Sequence, residues 1–283
     1  MSFPFEYQEQ ISGYWGPSTA TIDWCEENYV ISWYFAEFIN STTNLAFYFL
    51  FLYHLRSAIK NEHGFLFIFT SVGACVVGLG SWLFHMTLKY EFQLLDELPM
   101  IYVTALPFAY IYGVDKGYRT RVALYVIMAL LMAVLTIIYC SVYKNPVFHQ
   151  VSYAVLNLGI ILRSLVLIQR HVPDAAARKN LYRLLGLALG EFLTGFVLWN
   201  LDTVYCTYLR QIRRYWNLPF GVILELHGWW HILTALGIYH FILYSEILKV
   251  WHEGRQSQYS LLWHYGFLGE VHKNDRDKNI KTD

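Results

Sequence analysis

The sequence predicts an all-α polytopic membrane protein, a seven-transmembrane-helix bundle. Three observations carry this reading. Hydrophobic residues make up 56% of the 283-residue chain, and the mean hydropathy is +0.32. Charged residues make up only 15%, against about 25% in soluble domains. The apolar residues gather in seven stretches near the roughly 20 residues that a helix needs to cross a bilayer. These stretches are 33–57, 64–86, 94–113, 120–143, 147–169, 181–205 and 219–247.

The same composition excludes a disordered chain and disfavours a soluble α/β enzyme. Basic and acidic residues balance at 21 each, so there is no electrostatic footprint for nucleic acid. Four cysteines are too few for a disulfide scaffold. Aromatic residues reach 18%, with 23 Tyr and 10 Trp, types that favour the membrane–water interface.

Three regions follow along the chain. Residues 1–32 form an acidic segment with Glu6, Glu9, Asp23, Glu26 and Glu27. It has no Lys, no Arg and no apolar core, so it lacks the secretory signal pattern. Residues 33–247 hold the seven spans. The fourth, around ALYVIMALLMAVLTIIYC, is the most apolar, while the first, third and seventh carry polar residues. In the sixth, Gly186 and Gly190 stand one turn apart, which suits either close helix contact or a plain lipid-facing surface. Residues 248–283 form a polar tail.

Basic residues set the orientation of such a chain. With the N-terminus outside, or luminal in an internal membrane, loops 1, 3 and 5 and the tail face the cytosol and hold 15 Lys and Arg. The opposite side holds five: Lys89, Lys144, Arg210, Arg213 and Arg214. The bias predicts N-out and C-in.

Ionisable residues inside a membrane are costly and mark function. Those within the spans are Glu37, His85, Asp96, Glu97, Glu191, Asp202, Glu225, His227, His231 and His240. The loop charges alone bring Ser81, His85, Asp96, His227 and His231 to the luminal ends of spans 2, 3 and 7. Ser81 and His85 are four residues apart, as are His227 and His231, so each pair shares a helix face. A lone pair of histidines at this spacing is more often structural. A third imidazole, an acid and a serine at matching depth favour a His₃ zinc site with one position open to water, as in catalytic zinc. Asp96 is placed to accept that water's proton, and Ser81 to donate to developing oxyanion charge. His240 lies deeper and reads as packing. The remaining histidines, among them His54, His63, His149, His171 and His252, receive no role.

A second polar cluster, Asp23-Trp-Cys-Glu26-Glu27-Asn28 followed by Glu37, spaces oxygen ligands as a calcium loop does. It lacks the EF-hand glycine and final glutamate, and a solvated acidic run remains the rival reading.

These residues resemble the alkaline ceramidase family, seven-helix membrane amidases of the endoplasmic reticulum and Golgi. The resemblance rests on Asp-Trp-Cys-Glu-Glu-Asn at 23–28, Ser81 with His85, Asp96, and His227 with His231, and it runs from about residue 10 to 265. Gly13-Tyr-Trp-Gly-Pro17, Asn40-Ser-Thr-Thr-Asn44 and Trp199-Asn-Leu-Asp202 extend it. It implies His85, His227 and His231 as zinc ligands, Asp96 as the residue that polarises the zinc water, and Ser81 as the oxyanion partner. It implies calcium at Asp23, Trp24 (through its carbonyl), Glu26, Asn28 and Glu37. The implied reaction is hydrolysis of the amide of ceramide or phytoceramide to a sphingoid base and a fatty acid. The rival reading is a lipid-binding receptor of the adiponectin-receptor type, which shares the Ser, Asp and three-His set. The acidic N-terminal motif favours the ceramidase.

The expected topology also sorts the cysteines. Cys75 and Cys140 fall inside spans, whereas Cys25 and Cys206 face the luminal side, where a disulfide persists. A Cys25–Cys206 bond is therefore expected.

Overall fold

The structure, a computed structural model, describes residues 5–7 and 11–274. Glu9 and the tail residues Arg276, Lys278 and Lys281 lie outside the described residues. The helices are α1 (Phe38–Thr43), α2 (Leu45–Lys60), α3 (Phe65–Thr87), α4 (Tyr90–Gly113), α5 (Tyr118–Ile137), α6 (Pro146–His171), α7 (Ala175–Val204), α8 (Cys206–Trp216) and α9 (Leu226–His252). An antiparallel hairpin follows, β1 (Tyr259–His264) and β2 (Leu268–Lys273). The architecture is that of an all-α membrane protein.

Among the described residues, six helices are long and apolar enough to cross a membrane: α3 to α7 and α9. The first expected span is divided at Asn44 into α1 and the 16-residue α2. The cause is local. Ser41, Thr42 and Thr43 donate to the carbonyls of Glu37, Phe38 and Ile39, and Asn44 Nδ2 donates to the carbonyl of Asn40, all at 2.7–2.9 Å. Such back-bonding competes with the helix ladder and bends it.

Helix starts follow capping chemistry. Asn145 accepts from the Val147 N–H ahead of α6, with Pro146 at the first helical position. Asp174 accepts from the Ala177 N–H ahead of α7. Two elements differ from the expectation. Residues 220–224 form a 3₁₀ turn, so the last span begins at Leu226 rather than 219. The 206–216 stretch is helical; its polar, Arg-rich surface with Leu209 and Arg213 turned inward gives no hydropathy signal.

Helix α9 is the central post. In it 67% of the most apolar window is buried, against 17% for the lipid-facing α5. It packs on α7, α2 and α1. The approach to α7 uses Gly237, where a Cβ would stand 2.8 Å from the Ala188 carbonyl oxygen. Gly186 and Gly190 face open space instead, which favours the lipid-facing reading of that pair.

The hairpin docks on α9 and α2. His63 Nε2 donates to the Val271 carbonyl at 2.6 Å, and the Tyr239 hydroxyl to that of Gly269. Asn61 and Lys60 both reach Glu270. Burial works to raise the Glu270 pKa, but these hydrogen bonds win and hold the carboxyl at about 2.

Candidate active site

Helix α3 delivers Ser81 and His85 one turn apart at its C-terminal end, and α9 delivers His227 and His231 at its N-terminal end. All four are buried. One ligating atom from each of His85, His227 and His231 lies within 4.8 Å of the others. The rings meet at 4.7–5.0 Å between centroids.

Protein partners fix which nitrogens remain free. Nδ1 of His85 donates to Oε2 of Glu37 at 2.6 Å, and Nδ1 of His231 lies 3.0 Å from the Thr43 hydroxyl. The Nε2 lone pairs of both rings are thereby available to a cation. Nδ1 of His227 is buried without a hydrogen-bond partner among the described residues. Three imidazoles converging with such an orphaned nitrogen fit a His₃ zinc site. Trp24 covers the cluster, its ring 4.2 Å from that of His227.

Ser81 stands between the imidazoles and the acid. Its hydroxyl lies 3.5 Å from His231 Nε2, and the Asp96 carboxylate stands beside it. The contact between α3 and α4 that permits this is tight. Pro99 has no N–H, so the Leu95 carbonyl four residues earlier loses its helical partner. That carbonyl lies against Gly80, where a Cβ would stand only 2.1 Å away. Gly80 thus lets Ser81 and Asp96 face each other.

The acidic segment lies over the same end. Both carboxylate oxygens of Glu26 accept backbone N–H groups, from Ile39 at 2.7 Å and Asn40 at 2.8 Å. Burial and then the Glu37 carboxylate push Glu26 up to about 8, against the pull of those N–H groups. Oδ1 of Asn28 and Oε1 of Glu37 are buried without partners among the described residues. Adjacent buried carboxylates with orphaned oxygens fit a hard cation such as calcium. Asp23 is exposed at the edge of the group, and the Trp24 carbonyl accepts from Arg210 at 3.3 Å. Cys25 and Cys206 are disulfide-bonded, with Cα atoms 5.3 Å apart.

An apolar cavity opens beneath the cluster. Its first lining residues are Val77, Met100 and Thr234, each one turn beyond Ser81, Asp96 and His231 respectively. It continues along α9 to Ser245, about 16 Å at the ~1.5 Å rise of a helix.

Residues 16–272 match the family model described as Ceramidase. Alkaline ceramidase YPC1 of Saccharomyces cerevisiae is 40% identical over 283 residues, covering 95% of this chain and 89% of that protein. The chain belongs to the alkaline ceramidase family. Alkaline ceramidase 3 of Mus musculus is 41% identical over 238 residues, 82% of this chain and 85% of that protein. An alkaline ceramidase of Arabidopsis thaliana is 30% identical over 230 residues, 81% of this chain and 84% of that protein.

In this ceramidase the residues singled out from the sequence for both metals meet at one end of the bundle. Sequence reasoning missed the partners that hold them: Thr43 on His231, Gly80 beside Asp96, and the buried pair of Arg213 and Glu225. Arg213 also donates to the Cys25 carbonyl at 2.9 Å, which anchors the acidic segment to α8. A second group able to ligate a metal, Asp115, His171 and His252, lies at the opposite end. There Asp115 already binds Arg163 and Arg170, so two guanidinium charges oppose a cation. We read that group as an ion-pair network.

Proposed function

We propose that this ceramidase hydrolyses the amide of ceramide or phytoceramide within the membrane, at a zinc ion held by His85, His227 and His231. One observation carries the reading: three imidazoles, Asp96 and Ser81 converge at the head of an apolar cavity long enough for a lipid chain. An amide is a poor electrophile, and zinc bound at this site supplies Lewis acidity and lowers the pKa of a water to about 7. Asp96 accepts the proton of the attacking water and returns it to the leaving amine. The Ser81 hydroxyl donates to the carbonyl oxygen as charge gathers there. Glu37 and Thr43 hold the His85 and His231 rings in register, and Trp24 shields the group from bulk water. The products are a sphingoid base and a fatty acid.

A calcium ion held by Asp23, the Trp24 carbonyl, Glu26, Asn28 and Glu37 ties the acidic segment to α1. Together α1 and α2 supply the seventh crossing. The Cys25–Cys206 bond and the excess of basic residues at the other end favour a luminal N-terminus and a cytosolic C-terminus in the endoplasmic reticulum or Golgi. A C-terminal tag digested by protease added to sealed microsomes supports this orientation; a protected tag reverses it.

The deciding experiment follows labelled ceramide with purified protein. Fatty acid should be released, release should stop with His231→Ala or after chelation, and zinc should restore it in the wild type. Intact ceramide after prolonged incubation with zinc-loaded wild type sinks the proposal.

A further inference from the structure

Threonines in the long helices of this protein share a habit. Thr70, Thr104, Thr136 and Thr194 each donate their hydroxyl to the carbonyl four residues earlier, at 2.7–2.8 Å. This local bond satisfies a hydroxyl where no water is at hand. Thr234 of α9 breaks the habit. Its side chain is buried, with 2% of the residue exposed, and its Oγ1 has no hydrogen-bond partner among the described residues. It lines the apolar cavity, three residues beyond His231. Thr70, Thr104 and Ser245 line the same cavity, and each is satisfied by its own helix.

Leaving a buried hydroxyl unpaired forfeits the hydrogen bonds it would make to water. Thr234 bears that cost at one place in the cavity, about 4.5 Å along the helix axis from a proposed zinc ligand. A group bound there lies a few bonds beyond the reacting carbonyl, where a chain enters the cavity. The surroundings are apolar: Val77 on α3, Met100 on α4 and Ile238 one turn on in α9. Among the described residues no charged side chain lines the cavity, so the matching group is neutral. A hydroxyl both donates and accepts, as Thr234 does.

We propose that Thr234 is a specificity-determining residue that hydrogen-bonds a hydroxyl on the lipid chain next to the scissile amide. This rests on the proposed amidase reading of the site. Two positions could carry the hydroxyl, C4 of the sphingoid base or the α-carbon of the acyl chain. Sites built to pair a substrate hydroxyl discriminate against its absence, because their own polar group is then left unpaired.

The test measures kcat/KM for matched ceramides with and without a hydroxyl at C4 of the base, and with and without one at C2 of the acyl chain. Thr234→Val keeps the shape and removes the hydroxyl. It should lower kcat/KM roughly tenfold for the hydroxylated member of one pair and leave the unhydroxylated member unchanged or faster. The pair that responds identifies which chain carries the hydroxyl. Thr234→Ser should restore the preference, which a purely structural role for the threonine does not require. If wild type hydrolyses the lipids and Thr234→Val shifts both members of each pair alike, or neither, this inference falls and the amidase reading stands. If wild type hydrolyses none of them, both fall.

Discussion

Oε2 of Glu37 accepts a hydrogen bond from Nδ1 of His85 at 2.6 Å, across 48 residues of sequence. The same carboxylate oxygen accepts from Asn40 at 2.9 Å, and Oε1 has no partner among the described residues. One side chain therefore serves two sites. Toward α3 it fixes the tautomer of an imidazole whose Nε2 faces the other histidines. Toward the acidic segment it offers an oxygen to a hard cation. In the proposed reading, Glu37 would link occupancy of one metal site mechanically to the other.

Replacing Glu37 should disturb both sites in a separable way. Orienting carboxylates behind metal-bound histidines are typically worth 10–100-fold in metal affinity. Glu37→Gln should therefore weaken zinc binding by about that factor, as read by chelator competition. Glu37→Ala should in addition make thermal stability insensitive to added calcium. Unchanged affinity for zinc in Glu37→Gln removes the link between the sites.

Asp96 should matter for chemistry more than for metal retention. It faces Ser81 and is not among the three clustered imidazoles. Asp96→Asn should keep its zinc by elemental analysis while losing at least ~10²-fold in kcat, the usual scale of a general base. Near-normal turnover takes Asp96 out of the proton transfer.

Much of this was legible in the sequence because intramembrane polarity is rare enough to read directly. Hydropathy marks the long spans, and helical spacing pairs Ser81 with His85 and His227 with His231. What escaped depends on other signals. Helix α8 is amphipathic and short, so a search for apolar runs passes over it. The hairpin buries Gly269, Glu270 and Val271 in succession, with no alternation to announce a strand. The division at Asn44 arises from side chains bonding their own backbone, which hydropathy does not register. The pairing of Glu37 with His85 and the approach of Gly80 to Leu95 are tertiary facts, set by how α1, α3 and α4 pack.

Calcium should act through the protonation of Glu26. Folding raises its pKa from an ordinary 4.5 to about 8. Between these values the folded, metal-free chain holds a proton that the unfolded chain has released. The stability contributed by this carboxyl is therefore fully present below about pH 4.5 and falls as pH rises toward 8. Calcium bound there, as proposed, would take over the role of that proton. The melting-temperature gap between calcium-loaded and chelated protein should widen from pH 6 to 8 and level off above. A gap that is the same at every pH dissociates Glu26 from the site, and no gap at all leaves the segment a solvated acidic run.

The last prediction concerns the bond that holds this segment down. Cys25 sits between Trp24, whose ring covers His227, and Glu26, which caps α1. Its carbonyl accepts from Arg210 and Arg213 at 2.8 and 2.9 Å, and its sulfur joins Cys206 at the start of α8. The Cα separation of 5.3 Å lies within the range that a disulfide spans without backbone movement. The bond closes a loop of 181 residues, for which free-coil entropy allows about 5 kcal/mol. Helices already inserted in a membrane are far from a free coil, so the realised gain is smaller and falls mainly on local docking of the segment. Thiol labelling under denaturing, non-reducing conditions should find two reactive cysteines, Cys75 and Cys140, and four after reduction. Cys206→Ser should lower the affinity for calcium more than it lowers zinc content, because the acidic segment loses its tether while α3 and α9 keep their histidines. Four reactive thiols before reduction remove the bond, and equal losses of both metals remove its local role.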